Sequence, residues 1–304
     1  MKTLRAWCEL IRLPNTFTAL ADILAGYWLV TMGLQGSWRL GALLAASACL
    51  YSAGMVMNDL HDIETDRRER PDRPLPSGRI MRRHAVIAAV TLMLIGLGSA
   101  AVAGNPGDSL RSMIGLGDLS ALIALGLMVA ILAYDLALKT TPVGPLLMGL
   151  CRALNITLPM TIVPTVSTNP QALAPVVLCV YIFAVTTFGR HEASRSSRRR
   201  LLVGTGGIGA AMVMLGVFVV WNASNDRTTL ILWLATGFHF FRTALRTVRD
   251  PSPRRVQYAM KTYILGLIAI DAVFATAAAG WGAGAIVLAL LVPALILGRW
   301  LYST

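Results

Sequence analysis

The stretch Asn58-Asp59-Leu60-His61-Asp62-Ile63-Glu64-Thr65-Asp66, followed by Arg73-Pro74-Leu75-Pro76-Ser77-Gly78, concentrates acid in an otherwise oily chain. Six of the fifteen carboxylates fall between Asp59 and Asp72. Read as one helix, the stretch sets Asn58, Asp62 and Asp66 at i, i+4 and i+8, so successive side chains drift by only about 40° and share a face. Three acceptors on one stripe need a cation. Arginines of the same segment, Arg67, Arg68 and Arg70, would supply it at a solvated helix end. A divalent metal is the alternative. Magnesium favours octahedral oxygen coordination and combines one or two protein carboxylates with waters and substrate phosphates. On that reading Asp62 and Asp66, with Asn58 and Asp59 assisting, hold Mg2+. Calcium storage fits less well, because the spacing is not that of an EF-hand loop.

The elements that must position these acids are membrane helices. With 56% hydrophobic and 14% charged residues over 304 positions, and a mean hydropathy of +0.64, the chain is too apolar for an ordinary soluble domain. Apolar runs predict ten spans, near 15-34, 39-57, 84-104, 118-138, 143-164, 172-189, 201-221, 228-245, 260-280 and 282-302. The tenth is interrupted by Pro293. The fold class expected is therefore an all-α polytopic membrane bundle of nine core spans plus a C-terminal tenth. It reads as one unit over 1-304, with 58-84 as its main polar motif and loop. The first apolar run is long enough to span and is read as the first helix rather than a cleaved signal.

Twenty-three of the twenty-seven basic residues fall on one side of this arrangement and three, Arg39, Arg111 and Arg227, on the other; Arg152 lies inside a span. The positive-inside rule then puts both termini and the acidic stretch in the cytoplasm. The net charge of +12 matches an anionic leaflet and membrane lipids rather than nucleic acid. Cys8, Cys49, Cys151 and Cys179 are scattered without a CxxC pair, which indicates neither a zinc site nor a disulfide framework.

Ionisable groups inside a span are costly, which makes Asp22, Asp135, Arg152 and Asp271 functional candidates. Asn15, Thr18 and Asp22 share a face of the first helix and would line a polar cavity, where Asp22 could position or deprotonate an acceptor or, equally, make a structural hydrogen-bonded pair between helices. Arg152 and Asn155 form another i, i+3 pair. A deep guanidinium needs an anion, supplied by a protein carboxylate or, the preferred expectation, by an anionic substrate. Asp271 reads as an interhelical hydrogen-bonding residue. A lipid diphosphate suits the site as a whole, since its head meets metal and basic groups at the membrane edge while its tail stays among the helices. Neutralising the diphosphate would then favour ionisation at the allylic carbon.

The combined motif, Asn58-Asp59-x-x-Asp62-x-x-x-Asp66 with Arg73-Pro74-Leu75-Pro76-Ser77-Gly78, resembles the first aspartate-rich motif of the UbiA superfamily of membrane prenyltransferases. The resemblance extends through the chain in span order, including the Arg12-Leu13-Pro14-Asn15 entry to the first helix. It implies that Asn58, Asp62 and Asp66 bind magnesium diphosphate with Asp59 close by. It also implies that Lys139, after Tyr134, is the basic diphosphate contact. Where the superfamily carries a second acidic motif, this chain has Thr186-Thr187-Phe188-Gly189-Arg190-His191-Glu192-Ala193-Ser194. Two accounts stand there: Arg190 or His191 contacts phosphate directly in place of a metal, with Glu192 the one acid, or Arg190 to Arg200 simply marks a basic cytoplasmic loop. That substitution, the Leu147 to Asn155 segment and the extra tenth span resemble the EboC-like branch, which implies a bacterial inner-membrane protein associated with export of specialised metabolites.

These readings converge on Mg2+-dependent transfer of a prenyl group from an isoprenoid diphosphate to a lipophilic acceptor. The rival is a non-catalytic carrier or binding protein for a prenylated or lipid-diphosphate metabolite, favoured by the altered second motif.

Overall fold

A computed structural model of the chain describes residues 2–33, 37–104, 119–163, 170–189, 197–222 and 227–301, which are predominantly helical. A short amphipathic helix, α1 (Lys2–Leu10), precedes α2 (Leu13–Thr31). α3 (Trp38–His61), α4 (Ile63–Glu69), α5 (Arg82–Gly104) and α6 (Leu119–Ala133) follow. α6 runs into a π-turn at Tyr134–Leu138. The second half comprises α7 (Gly144–Met160), α8 (Leu173–Gly189), α9 (Arg198–Asn222), α10 (Arg227–Arg249), α11 (Pro253–Ala279), α12 (Trp281–Ala289) and α13 (Leu291–Trp300).

The chain is an integral multi-pass membrane protein. Among the described residues six helical stretches are both long and apolar enough to cross a bilayer: α3, α5, α6 with its π-turn, α9, α11, and α12 with α13. α2 and α7 occupy predicted spans but fall outside that set. They carry several of the deep polar residues, Asn15, Thr18 and Asp22 on one and Arg152 and Asn155 on the other, and they pack on each other inside the bundle. Polar side chains in a bilayer turn toward protein, so these polar faces point into the bundle rather than to lipid.

The predicted tenth span is two short helices that meet at Leu290. A proline ring clashes with the carbonyl four residues earlier, and for Pro293 that residue is Ala289, the last of α12. The α2–α7 contact is closer than side chains normally allow. A Cβ built on Gly26 would stand 2.3 Å from the Ile156 carbonyl oxygen and 2.8 Å from Pro159 Cγ. Small residues at such crossings let membrane helices approach backbone to backbone.

Two features position the polar mouth. α1, which precedes the first predicted span, buries Ala6 and Leu10 against Val56, Leu60 and Ile63 and against Leu75 and Ile80 of the following loop. It joins α2 through Arg12, whose left-handed backbone (φ 50°) reverses the chain before Pro14 opens the next helix. Non-glycine residues adopt this conformation at a cost, and they do so where surroundings impose it.

The Arg73-Pro74-Leu75-Pro76-Ser77-Gly78 loop is itself a folded unit. The Ser77 N–H and hydroxyl both donate to the Arg73 carbonyl, at 3.0 and 2.6 Å. Gly78 takes φ 74° and donates to the Leu75 carbonyl, while Ile80 donates to that of Pro74. Glycine is the residue that fits such a φ freely. With Leu75 and Ile80 anchored in the α1 cluster, the loop folds Arg73 inward, where its side chain is 13% exposed.

Candidate active site

A cavity of about 2370 Å³ opens among α2, α3, the π-turn, α7, α8 and α11, with Asn15, Tyr51, Asn58, Asp62, Tyr134 and Asp135 among its lining residues. The acidic stretch stands at its mouth, but not as one continuous helix. α3 ends at His61 and α4 begins at Ile63, so Asp62 is at once the C-cap of the first and the N-cap of the second. The backbone bonds from Asp62 to Asn58 and from Asp66 to Asp62 survive this break.

The expected stripe of ligands is thereby divided into two clusters. In one, the Lys139 ammonium donates to Asn58 Oδ1 at 2.9 Å and to the Asp62 carboxylate. In the other, Arg73 donates to Asp66 at 2.7 Å and Asp59 at 3.4 Å, and Arg12 donates to Asp59 at 3.2 Å. Asp59 and Asp66 are buried, at 4% exposure each. Buried carboxylates require counter-charge, and the arginines folded in by the loop and by the α1–α2 reversal provide it. Each acid of the expected metal set Asn58, Asp59, Asp62 and Asp66 is thus paired with a basic side chain, and among the described residues no group of three or more acidic, histidine or cysteine side chains is arranged to hold one ion.

The π-turn explains how Lys139 reaches across. In an α-helix, residues five apart point roughly 140° apart. Here the Lys139 N–H instead bonds the Tyr134 carbonyl, at 2.9 Å, closing an i to i+5 turn. The widened turn lets Tyr134, Asp135 and Lys139 all line the cavity. Such π-turns occur often at functional sites.

Deeper in, Asp22 and Arg152 pair with each other. Arg152 donates to Asp22 Oδ2 at 2.9 Å and to the Thr18 hydroxyl at 2.6 Å, and its guanidinium lies 5.8 Å from the Tyr51 ring centroid. Asn155 donates to the same Asp22 oxygen at 2.7 Å and to the Ala19 carbonyl, and accepts from Ser47. The anion that Arg152 needs is thus a protein carboxylate rather than substrate. Asp22, fully buried, stands behind Arg152 and Asn155 and is not among the cavity-lining residues, a placement that suits holding those two side chains. Arg152, Asn155 and Asn15 do reach the cavity wall.

Arg190, His191 and Glu192 lie outside the described residues. Arg12, Arg73 and Asp135 carry more of the site than sequence reading assigned to them. The signal for the first two was present, since both sit in the quoted motifs.

With this geometry in place, comparison with known proteins is informative. Residues 19–196 match the model of the UbiA prenyltransferase family. The chain belongs to the UbiA prenyltransferase family. A similar curated relative is digeranylgeranylglyceryl phosphate synthase of Sulfolobus acidocaldarius, 33% identical over 99 residues, which is 31% of this chain and 34% of that protein. The chain thus matches about a third of the length of such relatives. Among solved structures, an apo UbiA homologue from Aeropyrum pernix K1 shares 16% identity, covers 90% of this chain and 98% of its own, and superposes with a TM-score of 0.66. A UbiA homologue from Archaeoglobus fulgidus bound to GPP and Mg2+ shares 13% identity, covers 88% and 99%, and gives a TM-score of 0.63. These structures show that the UbiA-type fold extends through most of the chain.

The residues present suit a magnesium ion in one place. Asn58 Oδ1 and the Asp62 carboxylate are hard oxygen donors already converging on a cation, the Lys139 ammonium. Two protein oxygens leave most of an octahedral shell for waters and phosphate.

Proposed function

We propose that the chain transfers a prenyl group from an isoprenoid diphosphate to a lipophilic acceptor within the membrane. The observation that carries this reading is the convergence of Asn58, Asp62 and Lys139 at the mouth of a cavity large enough for a lipid. Asn58 and Asp62 would hold Mg2+, which when bound supplies charge to offset the departing diphosphate. Lys139 contributes a charge-assisted hydrogen bond to the same phosphates. Arg12 and Arg73 keep Asp59 and Asp66 neutralised and so fix the edge of the mouth. Tyr51, Tyr134 and the apolar lining flank the chain of the substrate, and Arg152, held by Asp22 and Asn155, gives the inner wall a fixed orientation.

The names of the relatives support the substrate classes: one is called for digeranylgeranylglyceryl phosphate and a solved homologue was bound to GPP and Mg2+. The basic loops support a cytoplasmic mouth. The branch resemblance supports a bacterial inner membrane and a metabolite-export setting, with 1-304 acting as one unit.

The division of the acids into arginine-paired and lysine-paired groups favours one second reading, a binding protein for lipid diphosphates. Purified protein with labelled prenyl diphosphates and a panel of acceptors separates the two. Release of diphosphate with a new lipid product supports the transferase. Metal-dependent binding without release across the panel supports the binding protein.

A further inference from the structure

Asp135 is the one buried acid of the cavity wall whose side chain has neither a hydrogen bond nor an ion pair among the described residues. It sits on the π-turn, is 3% exposed and lines the cavity. The other buried acids around the mouth have cationic partners: Asp59 has Arg12 and Arg73, and Asp66 has Arg73. Behind the cavity wall Asp22 has Arg152, whereas Asp271, fully buried and not among the lining residues, has neither oxygen partnered. Asp62, at the mouth, has Lys139. Among the described residues, Asp135 has no donor within hydrogen-bonding distance and no cation within ion-pair distance. The charged groups whose fields reach it are Lys139, Asp62, Arg12 and Asp59. An unpaired carboxylate in a membrane interior is expensive, and its burial against a cavity wall suits a group that meets a ligand.

We propose that Asp135 is the proton acceptor when the prenyl group passes to a hydroxyl group; this rests on the transferase reading. In the step, the bond between the allylic carbon and the diphosphate oxygen breaks and its electron pair leaves with the diphosphate. The hydroxyl oxygen of the acceptor donates a pair to that carbon, forming the new C–O bond. The O–H proton, made strongly acidic as the oxygen gains its third bond, passes to a carboxylate oxygen of Asp135. A carboxylate is a sufficient base at that moment although it would be too weak for a free alcohol. Placement on the same turn as Lys139 sets the base one helical turn from the leaving group's contact, so departure and proton removal occur on one wall.

The test compares wild-type protein with Asp135→Asn and Asp135→Glu. Two quantities are read: Mg2+-dependent binding of a non-reactive thiolodiphosphate analogue by calorimetry, and transfer from labelled geranyl diphosphate to a panel of long-chain alcohols and glyceryl ethers. For Asp135→Asn the expected result is binding within about twofold of wild type and transfer lower by about 10²–10⁴-fold, with Asp135→Glu recovering part of the rate. Asp135→Ser provides the same comparison should the amide variant not fold. Transfer by Asp135→Asn at the wild-type rate overturns the assignment alone. A parallel loss of binding and transfer in a folded variant also overturns it, placing Asp135 with the metal and phosphate instead. Absence of transfer by wild-type protein overturns the transferase reading and the assignment with it.

Discussion

Lys139 and Asp62 form an ion pair across 77 residues of sequence, joining the end of the fourth predicted span to the acidic end of the second. Neither charge belongs to the other's helix, so the pair is a product of tertiary packing and of the π-turn that redirects Lys139. It sets the first prediction. Lys139→Met weakens Mg2+-dependent prenyl diphosphate binding by roughly 10- to 150-fold, the equivalent of a lost charged hydrogen bond of about 1.5–3 kcal/mol. Lys139→Arg keeps part of that affinity. Titration calorimetry with a thiolodiphosphate analogue measures both.

Arg73 neutralises two buried acids at once. Arg73→Ala leaves Asp66 without its 2.7 Å partner and costs about 3–5 kcal/mol locally. The expected sign is faster hydrogen exchange and new protease cleavage within 70–81, with the membrane core unchanged. Adding Asp66→Asn to Arg73→Ala returns part of the protection, because the orphaned charge is removed.

Much of this was legible in the sequence, for physical reasons. Long apolar runs had to be helices in a bilayer, and Pro293 marked where the last of them breaks. The chemistry-bearing mouth was visible because acids beside an apolar span need counter-charge. The identity of that counter-charge was not visible. Helical periodicity put Asn58, Asp62 and Asp66 on one stripe, but the break at Asp62 and the inward fold of Arg73 assign them to different cations. Local spacing cannot report contacts made 77 or 130 residues away, as with Lys139–Asp62 and Arg152–Asp22. Likewise, a π-turn leaves no period that a pattern search would find.

The Asp22–Arg152 pair holds α2 to α7 with one carboxylate 0% and one guanidinium 12% exposed. Arg152→Gln strands the Asp22 charge and lowers stability by about 3–5 kcal/mol, whereas Arg152→Gln combined with Asp22→Asn loses less than the single change. Thermal unfolding in detergent, followed by accessibility of Cys151 to a thiol reagent, reads the difference.

Gly26 tests the same interface by shape. Gly26→Ala pushes a methyl group to 2.3 Å from the Ile156 carbonyl oxygen unless the helices part. Overpacking of this kind costs about 1–3 kcal/mol. Gly41→Ala, where an added Cβ meets nothing within 4 Å, is the control and is expected to leave the unfolding temperature unchanged.

The central claim, that Asn58, Asp62 and Lys139 form the metal and diphosphate end of a prenyl-transfer site, is tested most directly by transfer from a labelled prenyl diphosphate, with and without Mg2+, using wild-type and Asp62→Ala protein. The account predicts product from wild type only when Mg2+ is present, and at least about a 10²-fold loss for Asp62→Ala. Equal transfer by the two proteins, or wild-type transfer that persists in excess chelator, would contradict it.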